Sequence, residues 1–449
     1  MPAKAFKLTE MRQHAADIFC AGLRAVDPVR AVKRSCNFDG RTLTIQGQAY
    51  DLRRFRRIYV IGAGKAAAAM ASALEDILNG RISQGIITVK YHHGLPLKHI
   101  AVTEAGHPLP DENGLKGAEA IRKLAESAAG TDLVICLLSG GASALLPSPA
   151  QGLTLEDKKA AIDTLLSCGA DIGEINTIRK HISGLKGGRL ARACFPATLA
   201  TLVLSDVVGD ALDIIASGPT APDPSTFQDC LDIVRRYGLK SRLPESILNR
   251  LQKGRDGRIA ETPKPEDTEL TGVQNSIIGN NFQALDAAGR HAATLGYHPL
   301  ILSSMIEGET RDAAFFHAAV IREIAKTRHP VAPPACILSG GETTVTISGN
   351  GLGGRNQEFV LASAIHLDGL ENMVLLSAGT DGTDGPTDAA GAFMDASTLE
   401  RSRDSELNPQ EYLDRNDSYN FFKRLGDLFI TGPTRTNVMD LRIALVGGK

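Results

Sequence analysis

The chain has 449 residues, too long for one ordinary core, so two or three domains are expected. A hydrophobic fraction of 43% and 45 glycines are globular values, and a net charge of -2 leaves no basic surplus for a nucleic-acid backbone. Nucleic acid is therefore not an expected partner.

The residues from Met1 to Met11 mix charges with apolar side chains and form no hydrophobic signal core, so secretion is not expected. Apolar runs are strand-length or broken by glycine and charge, too short for a membrane span. The seven cysteines stand singly, as reduced thiols in a cytoplasm would, and Cys136 and Cys336 fall inside apolar runs as small core residues.

In chain order, short β-rich runs alternate with helical stretches, which predicts an α/β layered fold with a largely parallel sheet. Strands are expected at 57–61, 85–89, 132–138 and 198–204, with helices at 66–78 and 114–127. The stretch 254–272 is charged, carries Pro263 and Pro265, and lacks apolar periodicity. It divides the chain into an N-terminal domain, 1–253, and a C-terminal one, 273–449. Beyond it the alternation resumes: strand 276–278, helix 282–294, strand 299–303, helix 311–326, then strands 336–338 and 373–377. The run from Leu138 through Ser139, Gly140 and Gly141 to Ser143 returns as Leu338, Ser339, Gly340, Gly341, Glu342 and Thr343. Strand-to-Gly-Gly turns place N–H groups where open α/β sheets bind ligands, and one on each side of the junction suggests a cleft lined by both domains.

Five segments carry chemistry. Gly62-Ala63-Gly64-Lys65-Ala66 joins a strand to an Ala-rich helix with spacing suited to an anion at the helix start. The spacing is also that of a dinucleotide fingerprint, so a dehydrogenase is the rival reading. Against it, the next strand ends at Val89-Lys90-Tyr91 with no ribose-binding acid, and Lys65 places a cation in the turn. The segment 176–190 clusters Arg179, Lys180, Lys186 and Arg189 around glycines, as a phosphate grip or, for Arg179 and Lys180, equally a solvated face. Asp206 follows a strand and could bind Mg²⁺ or orient a hydroxyl, while Asp210 could be a helix cap. Gly351-Leu352-Gly353-Gly354-Arg355-Asn356 reads as a phosphate cradle with a fixed cation. Asp381, Asp384 and Asp388 lie in a Gly/Thr turn suited to a hard cation such as Mg²⁺. No P-loop lysine motif, protein-kinase signature, G-x-S-x-G or H-E-x-x-H occurs.

In this order, together with the block Gly106 to Asp111, Ser217-Gly218-Pro219 and the run Thr431 to Val438, the segments resemble the class II glycerate kinases, the family with a C-terminal MOFRL domain. The resemblance spans nearly the whole chain. It implies ATP- and Mg²⁺-dependent phosphorylation of D-glycerate to 2-phosphoglycerate. It also implies a Rossmann-like larger N-terminal domain, a smaller C-terminal α/β domain and an active site in the interdomain cleft. Lys65 and Arg355 match the family's catalytic lysine and arginine. Binding of nucleotide and substrate is expected at Gly62, Gly64, Ser139, Gly140, Gly141, Ser143, Lys186, Arg189, Gly340, Gly341, Glu342, Gly353, Gly354 and Asn356. Metal binding is expected at Asp206, Asp381 and Asp384. Some relatives carry a hydroxypyruvate reductase label, which keeps an NAD(P)-dependent reductase in view beside the other alternative, a non-catalytic anion-binding protein. The expected setting is cytoplasmic, with no membrane partner and with a homodimer as the candidate assembly.

Overall fold

A computed structural model describes residues 6–448; the first five residues of the charged N-terminal stretch lie outside them. Contacts divide the chain into two units. One is Pro28–Ser205 with Asp210–Ile278; the other is the described part of Met1–Asp27, with Asp206–Gly209 and Gly279–Lys449.

The first unit opens with a small antiparallel sheet, β1 (Cys36–Phe38), β2 (Thr42–Ile45) and β3 (Gln48–Asp51). Its main sheet contains β4 (Arg57–Ala63), β5 (Gln84–Lys90), β6 (Ile100–Ala105), β7 (Asp132–Leu138), β8 (Thr198–Leu204) and β9 (Gln274–Gly279) in the order β6-β5-β4-β7-β8-β9. The pairs β5–β6, β4–β5, β4–β7 and β7–β8 are parallel. Every residue of β7 is buried, because helices cover both faces of such a sheet and the strand reads as one apolar run. From β4 the chain builds outward to β5 and β6, then returns to place β7 on the opposite side. Such a reversal opens a crevice at the carboxyl ends of β4 and β7, where doubly wound sheets bind ligands.

Beside the sheet, four helices bury Ala161, Leu165, Ile178, Phe227, Ile233 and Ile247 in a core of their own. The helix Leu155–Ser167 starts with a reciprocal capping box between Thr154 and Asp157, and Ile172–His181 with one between Asp171 and Glu174. Both ends are thereby fixed in sequence, which sets which residues of each helix face away from this core.

The second unit is built on β10 (His298–Ile306), β11 (Ala335–Gly341), β12 (Met373–Gly379), β13 (Gly391–Asp395), β14 (Leu428–Phe429) and β15 (Asp440–Val446). Its order is β10-β11-β15-β12-β13-β14. Only β10–β11 is parallel; the last strand enters between β11 and β12 antiparallel to both. The alternation of strands and helices predicts this unit as α/β but does not show that the terminal strand inserts at the centre.

The contact division also differs from the boundaries expected at 253 and 273. The helix Leu8–Ala25 packs with the second unit, where Arg12 pairs with Asp395 and, at 2.8 Å, with Asp427. Gly22 allows that approach, since a Cβ there would lie 3.0 Å from the Ala284 carbonyl oxygen. The charged 254–272 stretch is bound to the first unit: Glu261 accepts from the Phe227 N–H and meets His181 Nε2 at 2.8 Å, while Lys264 donates to the Asp223 carbonyl. Polar composition here reflects fixed hydrogen bonding and not a linker. Among the described residues no helix is long and apolar enough to cross a membrane.

Candidate active site

At the crevice of the parallel sheet the β4 and β7 turns interlock. The Gly64 N–H donates to the Thr88 carbonyl, Lys65 N–H to Gly140, and Ala66 N–H to Ser139 Oγ. Gly64 has φ +133°, and a Cβ on it would stand 2.1 Å from Ser139 Oγ. The glycine spacing is thus required by the close passage of the second turn. Three successive N–H groups are consumed internally, so the Gly62–Ala66 turn is not the phosphate cradle its spacing suggests, and Ser139 serves as its clasp. The turn instead fixes the backbone from which the Lys65 side chain projects. The N–H groups of Gly140 and Gly141 make no hydrogen bond among the described residues. Gly141, at φ +85°, lies where a Cβ would touch the His107 ring at 3.0 Å and Lys65 Cγ at 3.5 Å.

Next to Gly141 and Ser143 opens a cavity of about 450 Å³ within this unit. Lys186, 3% exposed, donates to the Ser143 carbonyl at 2.8 Å and to Ser143 Oγ at 3.0 Å. Ser143 continues through Ser217 to Asn176. Lys158, 7% exposed, donates to the Ser148 carbonyl. Arg179 completes the cationic end. None of these three cations has a carboxylate within ion-pair distance among the described residues. Burial and mutual repulsion therefore push the Lys186 ammonium well below its ordinary value and Lys158 down to about 7. Burial and the neighbouring Lys65, Lys90 and His93 lower His107 to about 4, so its ring is neutral at pH 7. Arg189, expected in this group, turns away: its guanidinium donates to the Lys180 carbonyl. Gly187 and Gly188 direct the chain there by bonding to Ser217 and Gly218.

In the second unit the charged residues are balanced. Arg355, at the start of the helix Arg355–His366, forms a two-pronged pair with buried Asp440 at 2.7 and 3.0 Å and reaches Glu342 at 2.8 Å. Burial disfavours its charge, but Asp440 and Glu342 outweigh that and raise its pKa. Arg442, 2% exposed, sits beside Asp440 and donates to Thr343 Oγ1, while its Nε and Nη1 have no hydrogen-bond partner among the described residues. Asp440 and Arg442 escaped sequence reasoning, although Asp440 stands two residues beyond the Thr431 to Val438 run.

Four expectations are corrected here. Asp384 is no open metal ligand: it accepts from the N–H groups of Asn356 and Gln357 at 3.0 and 2.8 Å and acts as the resident anion of that helix start. Burial raises it to about 6 against those hydrogen bonds. The Gly351–Gly354 stretch is consequently no phosphate cradle; Gly354 is glycine because a Cβ would lie 2.4 Å from Asp384 Cγ, and Gly353 because it would meet Ser418 Oγ at 2.3 Å. Asn356, 1% exposed, bridges Asp384 and Asp440. Gly340 and Gly341 are ladder residues of β11, paired with Leu441 and Asp440 and not part of an open turn. Asp381 and Asp206 offer oxygen donors of the kind a hard cation takes. Asp381 Oδ1 accepts from Thr383, and its carbonyl accepts from the Thr434 N–H; Asp206 Oδ2 lies 3.4 Å from Asn437 Nδ2. The Asp206 carboxylate and the Asp381 backbone carbonyl thus both meet the 434–437 segment. Among the described residues no group of three or more His, Cys, Asp or Glu is placed to hold a metal ion.

Comparison with known proteins bears on this geometry. Residues 14–252 match the family model described as a domain of unknown function, DUF4147, and residues 335–440 match the MOFRL family. The chain is 41% identical over 441 residues to the glycerate 2-kinase of Pyrococcus horikoshii, covering 98% of each. It is 44% identical over 393 residues, 87% of each chain, to a putative hydroxypyruvate reductase of Agrobacterium vitis. The crystal structure of glycerate kinase from Thermotoga maritima superposes with a TM-score of 0.86 at 41% identity, covering 97% of this chain and 99% of that one.

Proposed function

The chain belongs to the class II glycerate kinases of the MOFRL family, and on that premise we propose that it transfers the γ-phosphoryl group of ATP to the 2-hydroxyl of D-glycerate. The observation that carries the reading is the trio Lys158, Arg179 and Lys186, cations without carboxylate partners beside the Lys65 turn. Phosphoryl transfer asks a protein chiefly for positioning and charge neutralisation. In this reading Lys65 neutralises charge on the moving phosphoryl group, and the Gly140 and Gly141 N–H groups bind phosphate oxygens. Lys186 holds Ser143 in place through two hydrogen bonds while adding positive potential.

Arg355 serves the same transfer with its orientation set by Asp440. Glu342 is 46% exposed in its side chain, so it can leave Arg355 when an anionic substrate group arrives. Asp381 and Asp206 would hold Mg²⁺, which when bound neutralises phosphate oxygens. Hydride transfer from a nicotinamide cofactor fits less well: a dinucleotide turn needs N–H groups for pyrophosphate, and those of Gly64, Lys65 and Ala66 are already bonded. Incubation with ATP, Mg²⁺ and D-glycerate, followed by phosphorus NMR, should give 2-phosphoglycerate and ADP. A 3-phosphate product, or none, would refute the assignment.

A further inference from the structure

The cavity beside Ser143 has two chemically distinct ends. One holds Lys158, Arg179 and Lys186. The other is an aliphatic wall formed by Leu109, Leu155, Ile162 and Leu166. Two of these wall residues are large apolar side chains left in contact with water, Leu109 at 73% and Leu166 at 58% exposure. Single exposed leucines need no explanation, but two facing one cavity supply an apolar surface that nothing in the unit covers.

The capping box at Thr154 sets the helix so that Ala161 and Leu165 enter the core while Lys158, Ile162 and Leu166 face the cavity. These three recur at four-residue spacing, which lays one cation and two aliphatic side chains along one strip. A volume of about 450 Å³ lies within the ~300–1,000 Å³ range of pockets for drug-sized ligands. A three-carbon acid would leave most of it empty and has nothing to set against four aliphatic side chains.

We propose that this cavity is the nucleotide pocket, with the base against Leu109, Ile162 and Leu166 and the phosphates at Lys158, Arg179 and Lys186. The proposal rests on the kinase reading for its choice of ligand. The cationic end adjoins Ser143 and Gly141, and Gly141 lies against Lys65, so a polyphosphate anchored there would extend toward the lysine. Base binding by aliphatic contact recruits residues outside every Gly-rich motif. The helix Leu155–Ser167 is then a specificity element for the donor and not merely scaffold.

The test is calorimetric titration of the full-length protein with ADP and, separately, with tripolyphosphate, which has no base. Replacing the two exposed leucines together, Leu109→Asn with Leu166→Asn, should weaken ADP about tenfold and leave tripolyphosphate unchanged. Lys158→Met should weaken both. Kinetics on the same proteins distinguishes the two levels of the argument. If D-glycerate is phosphorylated but the leucine variant binds ADP like wild type, the pocket assignment is overturned and the kinase reading stands. If turnover is absent while the leucine variant still loses ADP and keeps tripolyphosphate, the kinase reading is overturned and the pocket stands. A leucine variant that raises the KM for D-glycerate and leaves that for ATP unchanged also overturns the assignment.

Discussion

Lys186, in the loop between two helices, and Arg355, at the start of the helix Arg355–His366, are both cations drawn at least partly out of water, yet their surroundings are opposite. Lys186 shares its cavity with Lys158 and Arg179 and has carbonyl and hydroxyl oxygens for partners, whereas Arg355 is gripped by Asp440 and Glu342. The first region bears an uncompensated desolvation cost that a bound anion would relieve. The second is already compensated and spends its charge on fixing geometry. Residue type alone does not separate these cases; the carboxylates within reach do.

The contrast breaks most visibly at Asp440. Asp440→Asn leaves Arg355 and Arg442 without their buried counter-charge, which should cost about 3 kcal/mol of stability and most of the activity. Chemical denaturation checks it, and a midpoint equal to wild type would show the pair to be dispensable. The same experiment on Lys186→Met should give the reverse combination. Removing an unpaired buried charge should leave apo stability equal or higher, while turnover falls on the order of a hundredfold. A strongly destabilised Lys186→Met would mean that the ammonium holds the fold.

The acidic loop sharpens the comparison. Asp381→Asn should raise the Mg²⁺ concentration for half activity by roughly tenfold, as expected for losing one of few protein ligands. Asp384→Asn should leave the Mg²⁺ requirement near wild type and act through the helix start, where an amide NH₂ cannot accept one of the two N–H groups, costing about 1 kcal/mol. Equal Mg²⁺ shifts in both variants would restore Asp384 as a ligand.

The smallest expected effect is on pH. Lys158 is lowered to about 7 from an ordinary 10.5, so between those values the unfolded chain binds more protons and stability rises with pH. Asp384 is raised to about 6 from 3.8, so across that interval the folded chain binds more protons and stability falls as pH rises. Lys158→Met should flatten the alkaline rise by about 1–2 kcal/mol between pH 7 and 9. Denaturation midpoints at the two pH values measure it, and an unchanged slope would contradict the burial of that charge.

The parallel sheet was legible because β4, β7 and β8 are apolar runs ended by glycine or serine, and their periodicity survives in the fold. The Ser-Gly-Gly echo shows the limit. Ser139 clasps the Ala66 N–H, whereas Ser339 Oγ lies 2.8 Å from His317 Nε2 and its glycines remain in the ladder. Identical local sequence acquired different work because β7 lies beside another turn and β11 beside an antiparallel strand. Lys65 and Lys186 could be singled out by their glycine neighbours. Asp440, Arg442 and Lys158 could not, since long-range pairing and helix phase define their roles. Asp384 was noticed for its charge, but its partner is a helix start some thirty residues earlier in the chain, which spacing within the loop does not reveal.

Lys65 gives the most direct test of phosphoryl transfer. Turnover with ATP and D-glycerate should be measured for wild type, Lys65→Ala and Lys65→Arg, alongside NADH and NADPH oxidation with hydroxypyruvate. Loss of a preorganised cation at the moving phosphoryl group should lower Lys65→Ala turnover about a hundredfold to a thousandfold, with partial rescue by arginine and no hydride transfer in any protein. Undiminished kinase turnover in Lys65→Ala would remove the lysine from the mechanism, and robust NADH- or NADPH-dependent reduction without kinase activity would contradict the account as a whole.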